Sequence, residues 1–343
     1  MPLRRISKKT PAIELEPHLQ PPRAWSQMIT AGQLGLDAAA YQRLCLLGCP
    51  TAFFQLIMAV QSCRPEPKTP PLVLLEMFCG VAAITRAFTE AGYPSMGYDY
   101  LKDPVTNNVL SSAGFACALS LTLSLDPMAG FLWLATVCSS WVWISSSSTG
   151  RTVDYPLGVP CESTASANCM VARCGLLVAL TISRGCIWAL EQPASSLMVL
   201  HPTMVWIRQF NNVLFNADWF EADTCMGAFS AGTIKPTKIY GNRRLVLSLG
   251  RSRAGIQGDS SRVCTVRVNE ATGQKQTSGS SELKQTQAYT DSFGAAVLDG
   301  YAALGAPPAH QHAEPTEIDF GPVPSDVWGL AGLDQVLRWA YPS

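Results

Sequence analysis

The chain has 343 residues, of which 48% are hydrophobic and 15% are charged. This composition is typical of a protein with a large buried core and excludes a mainly disordered chain. The 25 basic and 25 acidic side chains give a formal net charge of zero, which excludes a strongly basic nucleic-acid binder. The twelve cysteines lack the regular spacing of a disulfide framework and therefore indicate free thiols in a reducing compartment.

Composition divides the chain into segments that differ in polarity, proline content and apolar spacing. The predicted segments are a disordered basic tail (1–24), a helical N-terminal region (25–63), a proline-rich linker (64–70), an α/β domain (71–305) with a polar insertion (251–288), and a C-terminal extension (306–343).

Two features of the first 70 residues bear on location. Residues 44–63 are apolar, but Pro50 and Gln61 interrupt them, so we expect a packed pair of helices there and no membrane span. The basic start runs into Pro11 and Glu14 without an apolar core, so it does not predict a signal peptide. The expected location is intracellular, in the nucleus or the cytoplasm.

The stretch from Leu72 to Asp99 has the clearest pattern in the α/β domain. Residues 72–77 predict a strand that is buried on both faces. A tight turn, a helix that ends at Gly92 and a second strand over Ser95–Tyr98 follow. Asp99 comes directly after the second strand, nineteen residues after Gly80 in the turn.

This order of strand, turn, helix, strand and acid is the one with which parallel α/β sheets bind nucleosides. Backbone N–H groups approach the ligand at the glycine, and the acid accepts hydrogen bonds from ribose hydroxyl groups. The stretch therefore predicts a site for a nucleotide-type cofactor, formed by Phe78, Cys79, Gly80, Val81, Ala82 and Asp99.

The rest of the domain predicts strands and helices from apolar runs, helical spacing, and glycine or proline stops. The predicted elements are a loop (102–108), a helix (113–123), a strand (131–137), a hydroxyl-rich loop (145–149), a helix (165–184), a strand (186–190), a short helix (204–210), a strand (213–220), one or two strands (239–249), a hairpin in the polar insertion (263–276), a helix (293–304) and a short amphipathic segment (327–339). This alternation predicts the α/β class, with a mostly parallel sheet.

Two later strands end in residues that can carry out chemistry. Cys138 follows the strand 131–137, and Glu191 follows the strand 186–190. Because the carboxyl ends of parallel strands meet at one edge of a sheet, we expect the thiol and the carboxylate to lie beside the cofactor turn. The pair suits attack by a thiolate on a substrate to which a carboxyl group relays a proton. The alternatives are that Cys138 is a small core residue and that Glu191 caps the following loop.

The order of these elements resembles the cytosine-C5 DNA methyltransferase family of S-adenosylmethionine-dependent enzymes over residues 70–305. Phe78-Cys79-Gly80-Val81-Ala82 looks like the Phe-x-Gly-x-Gly turn of the family, and Asp99 is similar to its second-strand acid. Val137-Cys138-Ser139-Ser140 resembles the Pro-Cys motif, and Glu191-Gln192-Pro193 resembles the Glu-Asn-Val or Glu-Asn-Pro motif. The segment from Lys235 to Gly241 looks like a later basic motif. The resemblance implies a Rossmann-like methyltransferase fold, with helices on both faces of a twisted sheet.

By this resemblance, Cys138 would add to C6 of a cytosine, Glu191 would protonate or hydrogen-bond N3, and C5 would take the methyl group from S-adenosylmethionine. The target base would have to leave the stack of DNA or RNA. Phe78 would pack on the adenine of the cofactor, and Asp99 would hold its ribose. The carbonyl of Asn107 or Asn108 would accept a bond from the adenine amine. The residues implied in substrate binding are Ser139, Ser140, Arg151, Gln192, Lys235 and Lys238.

The sequence departs from the family pattern at several positions. Ala82 replaces the second glycine of the turn, which is a mild change if the φ angle of Ala82 is negative. Val137 replaces the proline of the Pro-Cys motif, and an asparagine stands where the family has an aspartate for the adenine amine. The region in which the family reads its DNA target is reduced to about forty polar residues between Leu249 and Tyr289.

Three alternatives to a cytosine methyltransferase stay open at this stage. One is a methyltransferase fold that has lost activity and serves as a binding module, and another is a methyltransferase for a different substrate. A dehydrogenase is disfavoured, because no glycine lies between Gly80 and Gly92 to complete a Gly-x-Gly-x-x-Gly turn. The expected cofactor is S-adenosylmethionine, the expected partner is DNA or RNA, and no metal site is predicted.

Overall fold

Six strands form the central sheet in a computed structural model, which describes residues 31–63, 70–127, 129–214, 219–254, 256, 264–268, 275–279, 287–305, 323 and 326–340. The predicted tail (1–24) lies outside these residues, and so does the predicted linker (64–70) apart from Pro70.

The sheet is mostly parallel. Its strands are β1 (Leu74–Met77), β2 (Ser95–Tyr98), β3 (Phe131–Leu134), β4 (Ile187–Pro193), β5 (Phe220–Cys225) and β6 (Pro236–Gly241), in the order β2-β1-β3-β4-β6-β5. The pairs β2/β1, β1/β3 and β3/β4 are parallel, whereas β6 runs antiparallel to both β4 and β5. The predicted α/β class with a mostly parallel sheet is confirmed, and this sheet is compatible with a Rossmann-like fold.

Helices surround the sheet. They are α1 (Ala38–Leu46), α2 (Thr51–Cys63), α3 (Ala83–Glu90), α4 (Ser112–Leu123), α5 (Ser146–Thr149), α6 (Glu162–Ser183), α7 (Pro202–Leu214), α8 (Leu245–Ser248), α9 (Asp291–Ala302), α10 (Asp326–Gly329) and α11 (Leu333–Ala340). A separate antiparallel pair, β7 (Cys264–Val268) and β8 (Lys275–Gly279), confirms the predicted hairpin in the polar insertion.

The two faces of the sheet pack against different sets of helices, because alternate residues of each strand point in opposite directions. On the larger face, Leu75, Leu132 and Trp188 belong to a core with α1, α2, α4, α6, α7, α10 and α11. On the smaller face, Leu74 and Trp133 belong to a core with α3, α8 and α9. The predicted helices on both faces are therefore present.

The helical N-terminal region and the C-terminal extension belong to the larger core, although the sequence separates them from the α/β domain. The indole N–H groups of Trp206 in α7 and Trp328 in α10 both donate to the backbone carbonyl of Leu47, at 3.0 and 3.2 Å. This carbonyl lies between α1 and α2, so the two tryptophans join this pair of helices to α7 and α10.

Three predicted elements are wrong. The strand predicted over 213–220 is wrong in its described part, because the helical spacing of Met204, Ile207 and Phe210 continues as α7 to Leu214 and β5 begins at Phe220. The segment 239–249 is the end of β6 followed by α8, and not further strands.

The hydroxyl-rich segment 145–149, predicted as a loop, is the one-turn helix α5 after a 3₁₀ turn over Trp143–Ser145. Its hydroxyl groups are used within the turn, since Ser148 and Thr149 both donate to the carbonyl of Ser145. These bonds replace the contacts with water on which the loop prediction depended.

By length and composition, α6 could cross a membrane, and it is the one helix among the described residues that meets both criteria. In the structure 72% of its most apolar window is buried within the protein, as in a core helix. The apolar stretch 44–63 forms the ends of the helix pair α1 and α2, as predicted from its interruptions.

Candidate functional site at the carboxyl edge of the sheet

The parallel strands end at the same level of the sheet. Met77 pairs with Tyr98 on one side and with Leu134 on the other, and Leu134 pairs with Leu190. The residues that follow this row lie at one edge, which we call the carboxyl edge. The turn after β1, the acid after β2, the thiol after β3 and Glu191 of β4 all lie at this edge.

The turn after β1 is tight and is tied to the acid after β2. Phe78 and Gly80 both have positive φ angles, of 59° and 51°. The backbone N–H of Phe78 donates to the carbonyl of Tyr98 at 2.7 Å, and that of Gly80 donates to Oδ2 of Asp99 at 2.8 Å. Gly80 is exposed, and a Cβ built on it meets no atom within 4 Å, so open space lies above the turn.

Ala82 has a strained backbone conformation. Its φ of 56° and ψ of 42° lie in the left-handed region, at the N-cap of α3. The sequence-based condition of a negative φ is therefore wrong, and the methyl group of Ala82 makes the backbone strained by about 1 kcal/mol relative to glycine.

Asp99 is buried, and both of its carboxylate oxygens contact backbone N–H groups. Oδ2 accepts from Gly80, and Oδ1 accepts from Leu101 at 2.8 Å. Each carboxylate oxygen has a second lone pair, so Asp99 keeps acceptor capacity for a ligand. The hydrogen bond between Gly80 and Asp99 is therefore compatible with the prediction that both residues belong to one site.

A buried carboxylate that sequence reasoning missed lies below the turn. Glu76 in β1 has no exposed surface, and its Oε2 accepts from the N–H and hydroxyl groups of Thr85 at 2.7 and 2.5 Å. Burial raises the pKa of Glu76 above its ordinary value of 4.5. Its Oε1 has no hydrogen-bond partner among the described residues. An acid inside the otherwise apolar strand is the signal that could have revealed it.

Cys138, Glu191 and Lys235 come together at the carboxyl edge. Lys235 lies just before β6, and its Nζ is 3.4 Å from Oε1 of Glu191. Glu191 is 5% exposed, and the sulfur of Cys138 is partly buried near both charges. The approach of a thiol, a carboxylate and an ammonium group is the arrangement that the order of strand ends predicts.

The pKa of the Cys138 thiol is raised above 9.0, chiefly by burial and then by the negative charge of Glu191. Lys235 acts in the opposite direction and lowers it. The thiol is therefore protonated at neutral pH in this arrangement, and the charge state of Glu191 controls how easily it ionises. The pKa of Cys79, which is buried under the turn, is raised to about 11.

Tyr289, just before α9, is a second residue that sequence reasoning missed. Its hydroxyl group is 3.1 Å from Oε2 of Glu191, and the indole N–H of Trp133 donates to it at 3.4 Å. Nothing in its local sequence connects it with the edge of the sheet, because the contact depends on the placement of α9 over the smaller face.

Two residues predicted to bind substrate, Arg151 and Ser140, contact each other inside the protein. The guanidinium group of Arg151 is buried, stacks on Trp141 at 3.5 Å, and donates to Ser140 Oγ at 3.1 and 3.2 Å and to Asn168 at 2.9 Å. Since the donors of Arg151 and the hydroxyl of Ser140 are satisfied inside the protein, neither offers its polar group to a ligand. Only the neighbouring Ser139 is exposed.

The Gln192 side chain, which was predicted to bind substrate, also makes contacts within the fold. Its amide donates to the carbonyl of Thr136 at 2.7 Å and accepts from Ser196 at 2.9 Å, so that it fixes the segment before Cys138 to β4. Lys238 pairs with two acids of β5, Glu221 and Asp223.

Asn108 lies in the loop before α4, and no strand lies between β2 and α4 in the part of the chain that the structure describes. Its side-chain oxygen accepts from the N–H of Leu110 at 3.0 Å. Phe78 is partly buried against the larger core. The structure thus shows no contact that joins either side chain to Asp99.

Exposed apolar side chains surround the carboxyl edge. Val81 follows β1, Tyr100 and Leu101 follow β2, and Val137 and Trp143 follow β3, and all five are exposed. Single exposed apolar residues are common, but five at the ends of three neighbouring strands provide a surface for a flat apolar group.

A cavity of about 400 Å³ lies on the other side of Lys235, between β5, the start of β6 and residues 250–253. Arg251, Arg253 and Asp223 line it, whereas Cys138 and Glu191 do not. Within the described residues, no group of three or more His, Cys, Asp or Glu side chains could hold a metal ion.

No protein-family model, curated protein or solved structure is matched by this chain. The arguments for its function therefore come from the geometry of the carboxyl edge and from the sequence motifs.

Proposed function

We propose that the protein is an S-adenosylmethionine-dependent methyltransferase that acts on C5 of cytosine in DNA or RNA. The observation that carries this proposal is the meeting of two sets of residues at one edge of the sheet. Gly80 and Asp99 form a hydrogen-bonded turn of the kind that holds a nucleoside, and Cys138 lies at the end of the next strand together with Glu191 and Lys235.

The residues of the turn fit S-adenosylmethionine. The open space above Gly80 leaves room for a ligand close to the backbone, and Asp99 has lone pairs for ribose hydroxyl groups. The exposed side chains of Val81, Tyr100 and Leu101 provide an apolar surface beside Asp99, which suits an adenine ring. When bound, S-adenosylmethionine would supply an activated methyl group.

In the proposed reaction, the thiol of Cys138 first loses its proton to water, and the thiolate then forms a bond to C6 of the cytosine while the carboxyl group of Glu191 gives a proton to N3. Electron density then moves to C5, which can accept a methyl group. When the C5 proton leaves to water, the bond between sulfur and C6 breaks, and N3 returns its proton to Glu191. Both side chains are restored at the end of the cycle.

The charges at the site couple the protonation of Glu191 to the formation of the Cys138 thiolate. The charge of Glu191 raises the pKa of Cys138, so a Glu191 that carries the proton for N3 no longer opposes the thiolate. Lys235 favours the thiolate and contacts Oε1 of Glu191. Because this oxygen is buried, Lys235 has to move before Glu191 can contact a base.

Calorimetric titration with S-adenosylmethionine tests the cofactor part of the proposal. We expect binding by the wild-type protein and a loss of affinity of about tenfold or more in Asp99→Ala, because the carboxylate would hold the ribose. Glu90→Ala, which removes an exposed carboxylate at the far end of α3, is the matched control and should bind like the wild type. Absence of wild-type binding at millimolar concentration would refute the proposal.

Transfer of a labelled methyl group to DNA and RNA tests the chemistry. We expect incorporation at C5 of cytosine, and its loss in Cys138→Ser with binding of S-adenosylmethionine unchanged. Cys63→Ser, which changes an exposed thiol at the end of α2, is the control for general effects of the substitution. Equal activity of Cys138→Ser and the wild type would exclude the thiolate mechanism.

A binding module without catalytic activity is the second candidate function. Two observations favour it: the thiol of Cys138 has a raised pKa, and Oε1 of Glu191 is buried behind Lys235. A protein of this kind would bind the methyl donor or a nucleic acid, and Cys138→Ser would leave each of these affinities unchanged. Methyl transfer by the wild-type protein decides between the two candidates.

A further inference from the structure

Tyr289 is the one aromatic hydroxyl group in contact with Glu191 among the described residues. The phenol is buried between the sheet and α9, where its ring packs on Phe293 and Trp133. Its oxygen is 3.4 Å from the indole nitrogen of Trp133 and 3.1 Å from Oε2 of Glu191. These two contacts are the hydrogen bonds of the hydroxyl group.

The direction of both hydrogen bonds follows from the chemistry of the partners. An indole N–H can only donate, so Trp133 gives its proton to the oxygen of Tyr289. The phenol proton must then go to the other partner, which is the carboxylate of Glu191. Burial raises the pKa of Tyr289 well above its ordinary value, so the phenol keeps this proton throughout the physiological range.

The two carboxylate oxygens of Glu191 therefore have different neighbours. Oε2 is held by Tyr289, whereas Oε1 faces Lys235 and has no hydrogen-bond partner among the residues that the structure describes. Oε1 is therefore the oxygen that exchanges a proton with a substrate, provided that Lys235 moves.

We propose that Tyr289 is a positioning residue, which holds Glu191 by Oε2 so that Oε1 serves the reaction at Cys138. The part of this inference that concerns the reaction rests on the proposed function. The contact between Tyr289 and Glu191 can be tested without any substrate. The charged or titratable groups around Glu191 are Lys235 before β6, Cys138 after β3, and Tyr289 before α9, and Glu76 of β1 also faces Tyr289.

The rate at which iodoacetamide alkylates Cys138 reports on this contact, when it is measured against pH and quantified on the Cys138 peptide by mass spectrometry. In Tyr289→Phe, the hydroxyl dipole no longer offsets the charge of Glu191, and the thiolate is less favoured. We expect the midpoint of the pH profile to move upward, and alkylation at pH 8 to become several-fold slower than in the wild type.

Two variants separate positioning from stability. Tyr289→Phe leaves the indole N–H of Trp133 buried without an acceptor, which could unfold the protein. The double variant Trp133→Phe/Tyr289→Phe removes both partners of that bond and is expected to fold. Trp133→Phe alone is its matched control, because it disturbs the same core and leaves the bond to Glu191 intact. Its pH profile should equal that of the wild type.

The Glu191→Gln background tests whether Tyr289 acts through Glu191. There, the addition of Tyr289→Phe should not move the profile further. An equal shift in both backgrounds, or equal profiles for the double variant and Trp133→Phe, would overturn the positioning role. A protein that does not bind S-adenosylmethionine but shows the expected shifts would refute the proposed function alone, so the two failures are distinguishable.

Discussion

The two faces of the sheet bury charged side chains in opposite ways. On the larger face, the guanidinium group of Arg173 is surrounded by acceptors, among them the carbonyls of Val109 at 2.8 Å and Ala331 at 2.9 Å. On the smaller face, Glu76 and Glu191 are buried, and each keeps an oxygen that has no hydrogen-bond partner among the described residues.

The hydrogen bonds of Arg173 indicate a buried charge that stabilises the fold, whereas the oxygens of Glu76 and Glu191 without a hydrogen bond in the described part of the chain indicate charges that suit a functional site. A buried polar atom without a partner costs about 1–3 kcal/mol, which applies to Oε1 of Glu76, whereas Oε1 of Glu191 has only the ion pair with Lys235 at 3.4 Å. Both belong to strands whose ends meet at the carboxyl edge, next to Asp99 and Cys138. The buried arginine on the larger face, in contrast, joins α6 to the C-terminal extension and leaves no donor directed at a ligand.

The largest expected effect belongs to the larger face. Arg173→Met would leave the buried carbonyls of Val109 and Ala331 without the N–H groups that Arg173 donates to them. We expect the free energy of unfolding in urea to fall by about 3 kcal/mol or more. Arg338→Met, at an exposed position of α11, is the control and should change it by less than about 0.5 kcal/mol. Equal stability of the two variants would show that Arg173 does not hold the C-terminal helices.

The next effect belongs to the smaller face and concerns reactivity. Glu191→Gln removes the charge that raises the pKa of Cys138, so the thiol should ionise at lower pH and be alkylated several-fold faster at neutral pH. Lys235→Gln removes the charge that lowers this pKa and should slow the reaction. Opposite shifts are the expected result. Shifts in the same direction, or none, would mean that the three side chains do not form one electrostatic unit.

Much of the fold at this edge could be predicted from the sequence, because the signals there are local. The four apolar runs that became β1 to β4 are bounded by turn residues, and β2 begins and ends at the predicted residues. Parallel pairing then places Asp99, Cys138 and Glu191 at one edge without further information. For these residues, the periodicity of strands and helices was sufficient.

What could not be predicted depends on contacts between distant segments. The contact of Tyr289 with Glu191 depends on how α9 lies on the smaller face, and the interior role of Arg151 depends on Trp141 and Asn168. Basic and hydroxyl side chains after a strand look alike in sequence, whether they face a ligand or the core. The positive φ of Ala82 is also invisible in a sequence, because alanine normally avoids it.

Glu76 gives the smaller face a pH dependence of its own. Its pKa is raised in the folded protein, so the folded state holds the proton more tightly than the unfolded state. This contribution to stability is present below the unfolded pKa and is lost as the pH rises through the folded pKa. Between pH 4.5 and neutrality, Glu76→Gln should therefore lose less stability than the wild type in urea unfolding. Parallel curves for the two proteins would contradict the raised pKa.

The smallest expected effect tests the strain at the turn after β1. Ala82→Gly should raise the free energy of unfolding by about 0.5–1 kcal/mol, since glycine adopts the left-handed conformation of this N-cap without the clash of a Cβ atom. Ala87→Gly, inside the same helix, should lower it by a similar amount, because glycine is a poor residue in a helix interior. If both substitutions destabilise the protein, Ala82 does not hold the strained conformation. If they differ in sign, the turn tolerates strain at the position where the resembling family has glycine.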